Sequence, residues 1–336
     1  MCRRCLISTH LLAAAVALIA FAAPAAAQDG DWTLPRTPDG PPDLQGVWAN
    51  NNATPLERPP EWEGRERLTD EELAELRAAA ELAVDDGDAL FGDQLVLAAI
   101  QRTQATSYDP TTGNYNQFWI VERDFNNRTS LVVDPPDGRI PPLTATARDR
   151  QAMLRAHRRD HPADSYTDRP LSERCVTYGV PRLGAGYNSY YQIFQSPDHV
   201  VIYHEMNHDA RIVPIDGTPP LDDDVRLWHG DSRGYWEGDT LVVETANYSP
   251  QATFRGLSSE HLRVTERFTR VGPRTLNYEV TLDDPTTYTR PWTVLIPLMG
   301  TTDAIYEYAC HEGNIGMDGI LAGHRAEERE AATGSR

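Results

Sequence analysis

The residues best suited to chemistry in this chain are histidines and carboxylates set among apolar neighbours, and the loudest grouping is His204-Glu205-Met206-Asn207-His208. Two imidazoles four apart with a Glu beside the first match the zinc-peptidase pattern, which works on a helix, where both rings share one face. The flanks Val200-Val201-Ile202-Tyr203 and Ile212-Val213-Pro214-Ile215 read instead as strands, on which residues four apart stand about 13 Å from each other. Arg211 also occupies the place where the extended form of the motif needs Gly. The pattern therefore assigns no metal ligand and no cofactor, and a zinc metallopeptidase through His204 and His208 is the lesser of the functions considered.

A quieter signal comes from strand alternation, in which every second side chain shares a face. Leu262, Val264, Glu266 and Phe268 point together, which sets Glu266 on an apolar face. The same parity groups Glu205 with Val201 and Tyr203, and Glu307 with Ile305, while His311 follows Glu307 by four positions. A carboxylate facing a core needs a partner, so the pattern predicts an internal ion-pair network or a polar ligand cavity, with Arg211, Arg233, Arg255 and Arg290 as available cations. The candidate catalytic set is Glu205, His208, Glu266, Arg290, Glu307 and His311. His would exchange protons near neutrality, a desolvated Glu would rise towards the same range, and Arg290 would hold a developing anion.

Other chemistry is excluded or in the wrong context. Every basic residue is Arg, and the absence of Lys removes Schiff-base and Walker-type mechanisms. Gly230-Asp231-Ser232-Arg233-Gly234 has nucleophile-elbow spacing, but Val225–His229 is a poor buried strand and Tyr235-Trp236-Glu237-Gly238-Asp239 reads as a turn, not the helix an elbow requires. Trp236, Tyr288 and Trp292 are either core or a stacking surface for a ligand. The loop Cys310-His311-Glu312-Gly313-Asn314 is a tethered surface loop or a site.

The elements that would position these groups are mostly strands. Short β-branched and aromatic runs are expected at Gln117–Glu122, Ser130–Asp134, Tyr190–Gln195, Val200–Met206, Arg211–Ile215, Thr240–Asn247, Leu262–Thr269, Thr275–Leu282, Trp292–Pro297 and Ala304–Ala309, with one further short strand around Val47. Close spacing favours antiparallel pairing. The fold class is thus mainly β, an antiparallel barrel or sandwich. Helices are predicted from Thr69 to a stop at Gly87, over Gly92–Thr103, and over Ala145–Arg159 behind a cap at Thr144. The implied organisation is an extended arm over 28–64, a helical insertion over 65–115, a main β domain over 116–325 and a disordered tail from 326.

Arg3-Arg4, the apolar run Leu11–Ala23 and Ala25-Ala26-Ala27 have the three-part layout of a cleaved signal peptide over 1–27. The mature protein is then periplasmic or secreted, with no membrane span of its own, and its two cysteines, Cys175 and Cys310, are expected to form a disulfide. The net charge of −19 becomes more negative still when Arg3 and Arg4 leave, which argues against nucleic acid as a partner.

The strings Pro42-Asp43-Leu44-Gln45-Gly46-Val47-Trp48, Gly230–Val243, Asp284–Trp292 and Tyr306–Asn314 resemble a family of secreted bacterial proteins. That resemblance implies export and carries no particular activity. Gly46-x-Trp48 is also similar to the opening of lipocalin-type barrels. Two function classes follow. One is an exported lyase, isomerase or hydrolase acting on a carbohydrate or small organic molecule by His/Glu acid–base chemistry; the other is a non-catalytic ligand-binding or scaffold protein.

Overall fold

The computed structural model describes residues 32–83, 93–103 and 121–334. The leader, the Gly87 stop and most of the expected strand Gln117–Glu122 lie outside the described residues, and the compact unit treated below is Leu34–Arg336.

Its strands are β1 (Gly46–Ala49), β2 (Val132–Asp134), β3 (Tyr190–Gln195), β4 (His199–His204), β5 (Asp209–Pro214), β6 (Asp231–Glu237), β7 (Thr240–Ala246), β8 (Thr253–Phe254), β9 (Leu257–Ser258), β10 (Arg263–Arg270), β11 (Thr275–Asp283) and β12 (Trp292–Thr301). The ladder runs β5-β4-β3-β1-β12-β11-β10-β7-β6, antiparallel throughout, with β2 added to β12. Setting aside the short β2, β8 and β9, sequence neighbours are sheet neighbours, and β1 pairs with β12 to join first strand to last. The two ends, β5 and β6, meet without a ladder. A Cβ on Gly234 of β6 would stand 2.9 Å from Ile215 and 3.0 Å from Val213, so only Gly allows that approach. The result is a nearly closed antiparallel barrel.

Period-two alternation builds its interior. Leu276, Tyr278, Val280 and Leu282 of β11 face Trp292, Val294, Ile296 and Leu298 of β12 and Val264, Glu266 and Phe268 of β10, all buried. Phe268 and Tyr278 stack at 4.6 Å. Trp292 and Tyr288 belong to this core, in edge contact at 5.6 Å; they do not form a stacking surface for a ligand. Trp48 closes one end, its indole N–H donating to Leu44 O at 2.8 Å and the Arg270 guanidinium lying 5.4 Å from its ring centre.

The helices are α1 (Asp70–Ala83), α2 (Gln94–Gln101), α3 (Ala145–Asp160) and α4 (Ile315–Thr333). Thr69 and Glu72 cap α1 reciprocally, at 3.2 Å and 2.8 Å. Thr144 caps α3 through the Ala147 N–H at 3.1 Å. Among the described residues no helix is long and apolar enough to cross a membrane.

Three expectations are corrected. Asp231–Glu237 is a strand and the turn is confined to Gly238-Asp239, because Tyr235 and Trp236 pair across to Val242 and Leu241. Ala304–Ala309 is not a strand: the ladder ends at Thr301, and the Tyr306 and Tyr308 N–H groups beyond it bond to side chains. Residues 326–333 of the stretch expected to be a disordered tail belong to α4, where their Ala, Glu and Arg content favours helix.

Candidate functional site

β4 carries Val200, Ile202 and His204 on its buried face. At Glu205 the strand stops and a tight turn through Asn207 and His208, both with positive φ, reverses the chain into β5. His204 is therefore the last inward side chain of its strand, 7% exposed at the end of the barrel interior. Its Nδ1 accepts the Met206 N–H at 3.1 Å, which puts the ring hydrogen on Nε2. Burial, and after it the charge of Arg182, pulls its pKa down to about 3, so the ring is neutral at ordinary pH. Tyr191 packs edge-on against it at 4.6 Å.

Arg182 approaches from the segment that precedes β3. Its guanidinium lies 5.1 Å from the Tyr178 ring centre, and burial lowers its pKa. Among the described residues, neither its Nε nor His204 Nε2 has a hydrogen-bond partner, and both are shut off from solvent. The two line one cavity of about 20 Å³, together with Tyr178, Asp209, Arg211 and Tyr278, a volume with room for one small polar group. Asp209 accepts from the Thr177 hydroxyl at 2.9 Å and lies 3.3 Å from His229 Nε2.

Deeper in the barrel the charged groups are paired. Arg211 of β5 spans to Glu266 of β10 through two parallel contacts of 2.5 Å and 2.8 Å. Tyr278 donates its hydroxyl to the same carboxylate at 2.5 Å, and Glu266 has no exposed surface.

Residues 302–310 form a strap across this end of the barrel. The Tyr306 N–H donates to Glu205 Oε1 at 3.3 Å, and the Tyr308 N–H donates to His208 Nε2 at 2.6 Å. Cys310 is bonded to Cys175, with Cα atoms 5.6 Å apart. Burial raises the Glu205 pKa. Tyr308 meets Tyr178 edge-on at 6.2 Å, with the hydroxyls 3.2 Å apart. Outside this pair opens a cleft of about 390 Å³, walled by both tyrosines, Cys310, Asn314, Met317 and Ile320. Tyr178 borders the outer cleft and the inner cavity alike.

The structure thus divides the residues singled out from the sequence. Glu205 and His208 come together, as the anchors of the strap. Glu266 sits in the core with both oxygens engaged. Glu307 and His311 are exposed, because the strand expected to turn Glu307 inward is absent. Arg290 is half exposed and paired with Asp134 at 2.8 Å. It precedes β12, whose other end pairs at Gly300 through Trp48 and Tyr191 to His204, about 30 Å away along the strand. No shared pocket holds them among the described residues. The helix required for a zinc-peptidase motif is replaced by a strand end and one short turn, and Ser232 sits within β6 bonded to Thr245 at 2.8 Å. The parity that set Glu205 inward with Val201 and Tyr203 is corrected: Val200, Ile202 and His204 form the buried face of β4, and Glu205 is buried by the turn that follows the strand. Arg182 and Tyr178 lie on irregular chain, where periodicity is silent.

A larger cleft of about 590 Å³ lies elsewhere, beside Thr144, Arg150 and His261, but Arg150 is already bonded to Thr286 and Thr287. The barrel end between β4 and the strap, with its unpartnered donors, is the candidate site, and comparison with family models, curated proteins and solved structures finds no match for the chain.

Proposed function

We propose that the protein binds a small organic acid at the end of its barrel, the acid group entering the inner cavity and an apolar or aromatic body resting in the outer cleft. The observation that carries this reading is the pair of covered, unpartnered donors, His204 Nε2–H and Arg182 Nε–H, on one cavity. A covered donor without an acceptor is costly, and two on one cavity beside a guanidinium favour an anion. Arg182 supplies the charge and the directed N–H groups suited to a carboxylate. Tyr178, Tyr308, Met317 and Ile320 suit an apolar body more than a sugar. The leader, together with the disulfide, supports a site of action outside the cytoplasm.

Calorimetric titration with a series of aromatic and aliphatic monocarboxylates and their neutral amides tests the reading. Carboxylates are expected to bind, the amides at least tenfold more weakly, and Arg182→Gln to abolish the difference. Equal binding of acid and amide, or binding unaffected by Arg182→Gln, would refute it.

One observation favours catalysis as a second reading: Asp209 lines the same cavity. A carbonyl polarised by Arg182 and a neutral imidazole N–H would then lie beside a carboxylate able to take a proton from the adjacent carbon, the arrangement of an isomerase or lyase. Deuterium incorporation into a bound keto acid, absent in Asp209→Asn, separates a catalyst from a binder.

A further inference from the structure

At the corner where α3 ends and α4 passes, carboxylates and imidazoles from distant parts of the chain converge. Asp164 stands between two histidines: its Oδ2 is 2.7 Å from His161 Nδ1 and its Oδ1 is 2.9 Å from His324 Nε2. Glu328, one helical turn after His324, brings Oε1 to 3.6 Å from that same Nε2. One donor atom from each of Asp164, His324 and Glu328 lies within 4.8 Å of the others.

Ion pairing alone accounts poorly for this arrangement. An imidazole nitrogen carries at most one hydrogen, yet two carboxylates approach His324 Nε2, and Glu327 adds a third near Nδ1 at 3.7 Å. His324 is the least exposed of the group, its side chain 15% accessible. We infer that Asp164, His324 and Glu328 form a divalent-cation site of the zinc type, with one nitrogen and two carboxylate ligands and a fourth position for water, while His161 holds the other oxygen of Asp164. His324 and Glu328 at i and i+4 on a helix present their side chains on one face. A tetrahedral ion with bonds of about 2.0–2.2 Å holds its ligand atoms roughly 3.4 Å apart, so the three groups, already within 4.8 Å of one another, need close only a little further. The remaining contacts fit an outer shell that aims the ligands: Arg325 holds the second oxygen of Glu328 at 2.9 Å and donates to Ala163 O at 2.9 Å, while His157 stacks on His161 at 4.9 Å and is held by Asp168 at 3.1 Å.

Such an ion ties α4 to the α3 corner. The first turns of α4 supply Gly316, Met317 and Ile320 to the wall of the outer cleft, so the ion would fix that wall. The inference stands independently of any organic ligand.

The test uses the full mature chain, stripped with chelator and titrated with Zn²⁺ alone, with elemental analysis after gel filtration and Co²⁺ as a spectroscopic substitute. One ion per chain is expected, with a tetrahedral Co²⁺ spectrum and at least a tenfold loss of affinity in His324→Gln and in Asp164→Asn. Asp164 is exposed and His324 is 15% accessible, and circular dichroism establishes that α4 persists in both variants. Failure to retain zinc, or retention unchanged in both variants, overturns the site. Loss of zinc only in His204→Gln or His208→Gln overturns it too, by placing the ion at the barrel end.

Discussion

Two arginines reach into the same barrel and meet opposite treatment. Arg211 finds Glu266 across the interior in a two-point contact, with the Tyr278 hydroxyl on the same carboxylate. Arg182, which lines the same small cavity, has an aromatic face beneath it and no carboxylate within ion-pair distance among the described residues. A buried ion pair whose hydrogen bonds are all made locks strands together. A guanidinium whose Nε is covered and unbonded leaves a donor for a group the fold does not supply. The difference between the two is the physical ground for placing function at the strap end and structure at the barrel centre.

The hardest way to break the comparison is to remove the partner at the centre. Glu266→Gln leaves Arg211 buried and unpaired, and a loss of about 3–5 kcal/mol is expected in urea unfolding. A variant as stable as the parent would show that the pair is dispensable. Next in size is the tether of the strap: replacing Cys175 and Cys310 by Ser is expected to cost about 2–5 kcal/mol and to speed amide exchange at Tyr306 and Tyr308, whose N–H groups bond to Glu205 and His208. Unchanged exchange there would mean that the side-chain anchors hold the strap alone.

Acid provides a graded test. The folded pKa of His204 is depressed to about 3 from an unfolded value near 6.5, so between these values the unfolded chain binds one more proton. His204's contribution to stability is complete above about pH 6.5 and falls by about 1.4 kcal/mol per pH unit as the pH drops towards 3. His204→Gln is expected to flatten that slope by one proton, and an unchanged slope would assign the acid sensitivity to other groups. The smallest effect sharpens the contrast most. Arg182→Met is expected to alter stability by no more than about 1 kcal/mol, the value of its contact with Tyr178, while removing carboxylate binding. A loss comparable with that of Glu266→Gln would make Arg182 a structural residue like Arg211.

How far the sequence could be read follows from the range over which each signal acts. Alternation is local, and it located most of the ladder, put Glu266 inside and predicted an ion-pair network or a polar ligand cavity there, with Arg211 among the available cations. It misassigned Ala304–Ala309, because Tyr306 and Glu307 have strand-like neighbours but no ladder partner beyond Thr301. The same limitation hid β6, where turn-like Gly234 and Gly238 mask a strand that exists because β7 lies beside it. Helix propensity over Ile315–Thr333 is diluted by its glycines, and the convergence proposed as a cation site stayed invisible with it, since His324 and Asp164 are 160 residues apart.

What the sequence determined by itself is the mainly β antiparallel class, the cysteine pair, the helix caps at Thr69 and Thr144, and the unsuitability of His204-x-x-x-His208 for a helical zinc site, because each rests on residue type and short-range spacing. Only the tertiary structure decided which carboxylates are paired and which side chains converge. Glu205 and His208 became strap anchors, Arg290 went to the far end of β12, and Arg182 arrived beside His204 from irregular chain. Burial and partnership are properties of segments brought together by the closing of the barrel, and no local spacing encodes which of two arginines will find its acid.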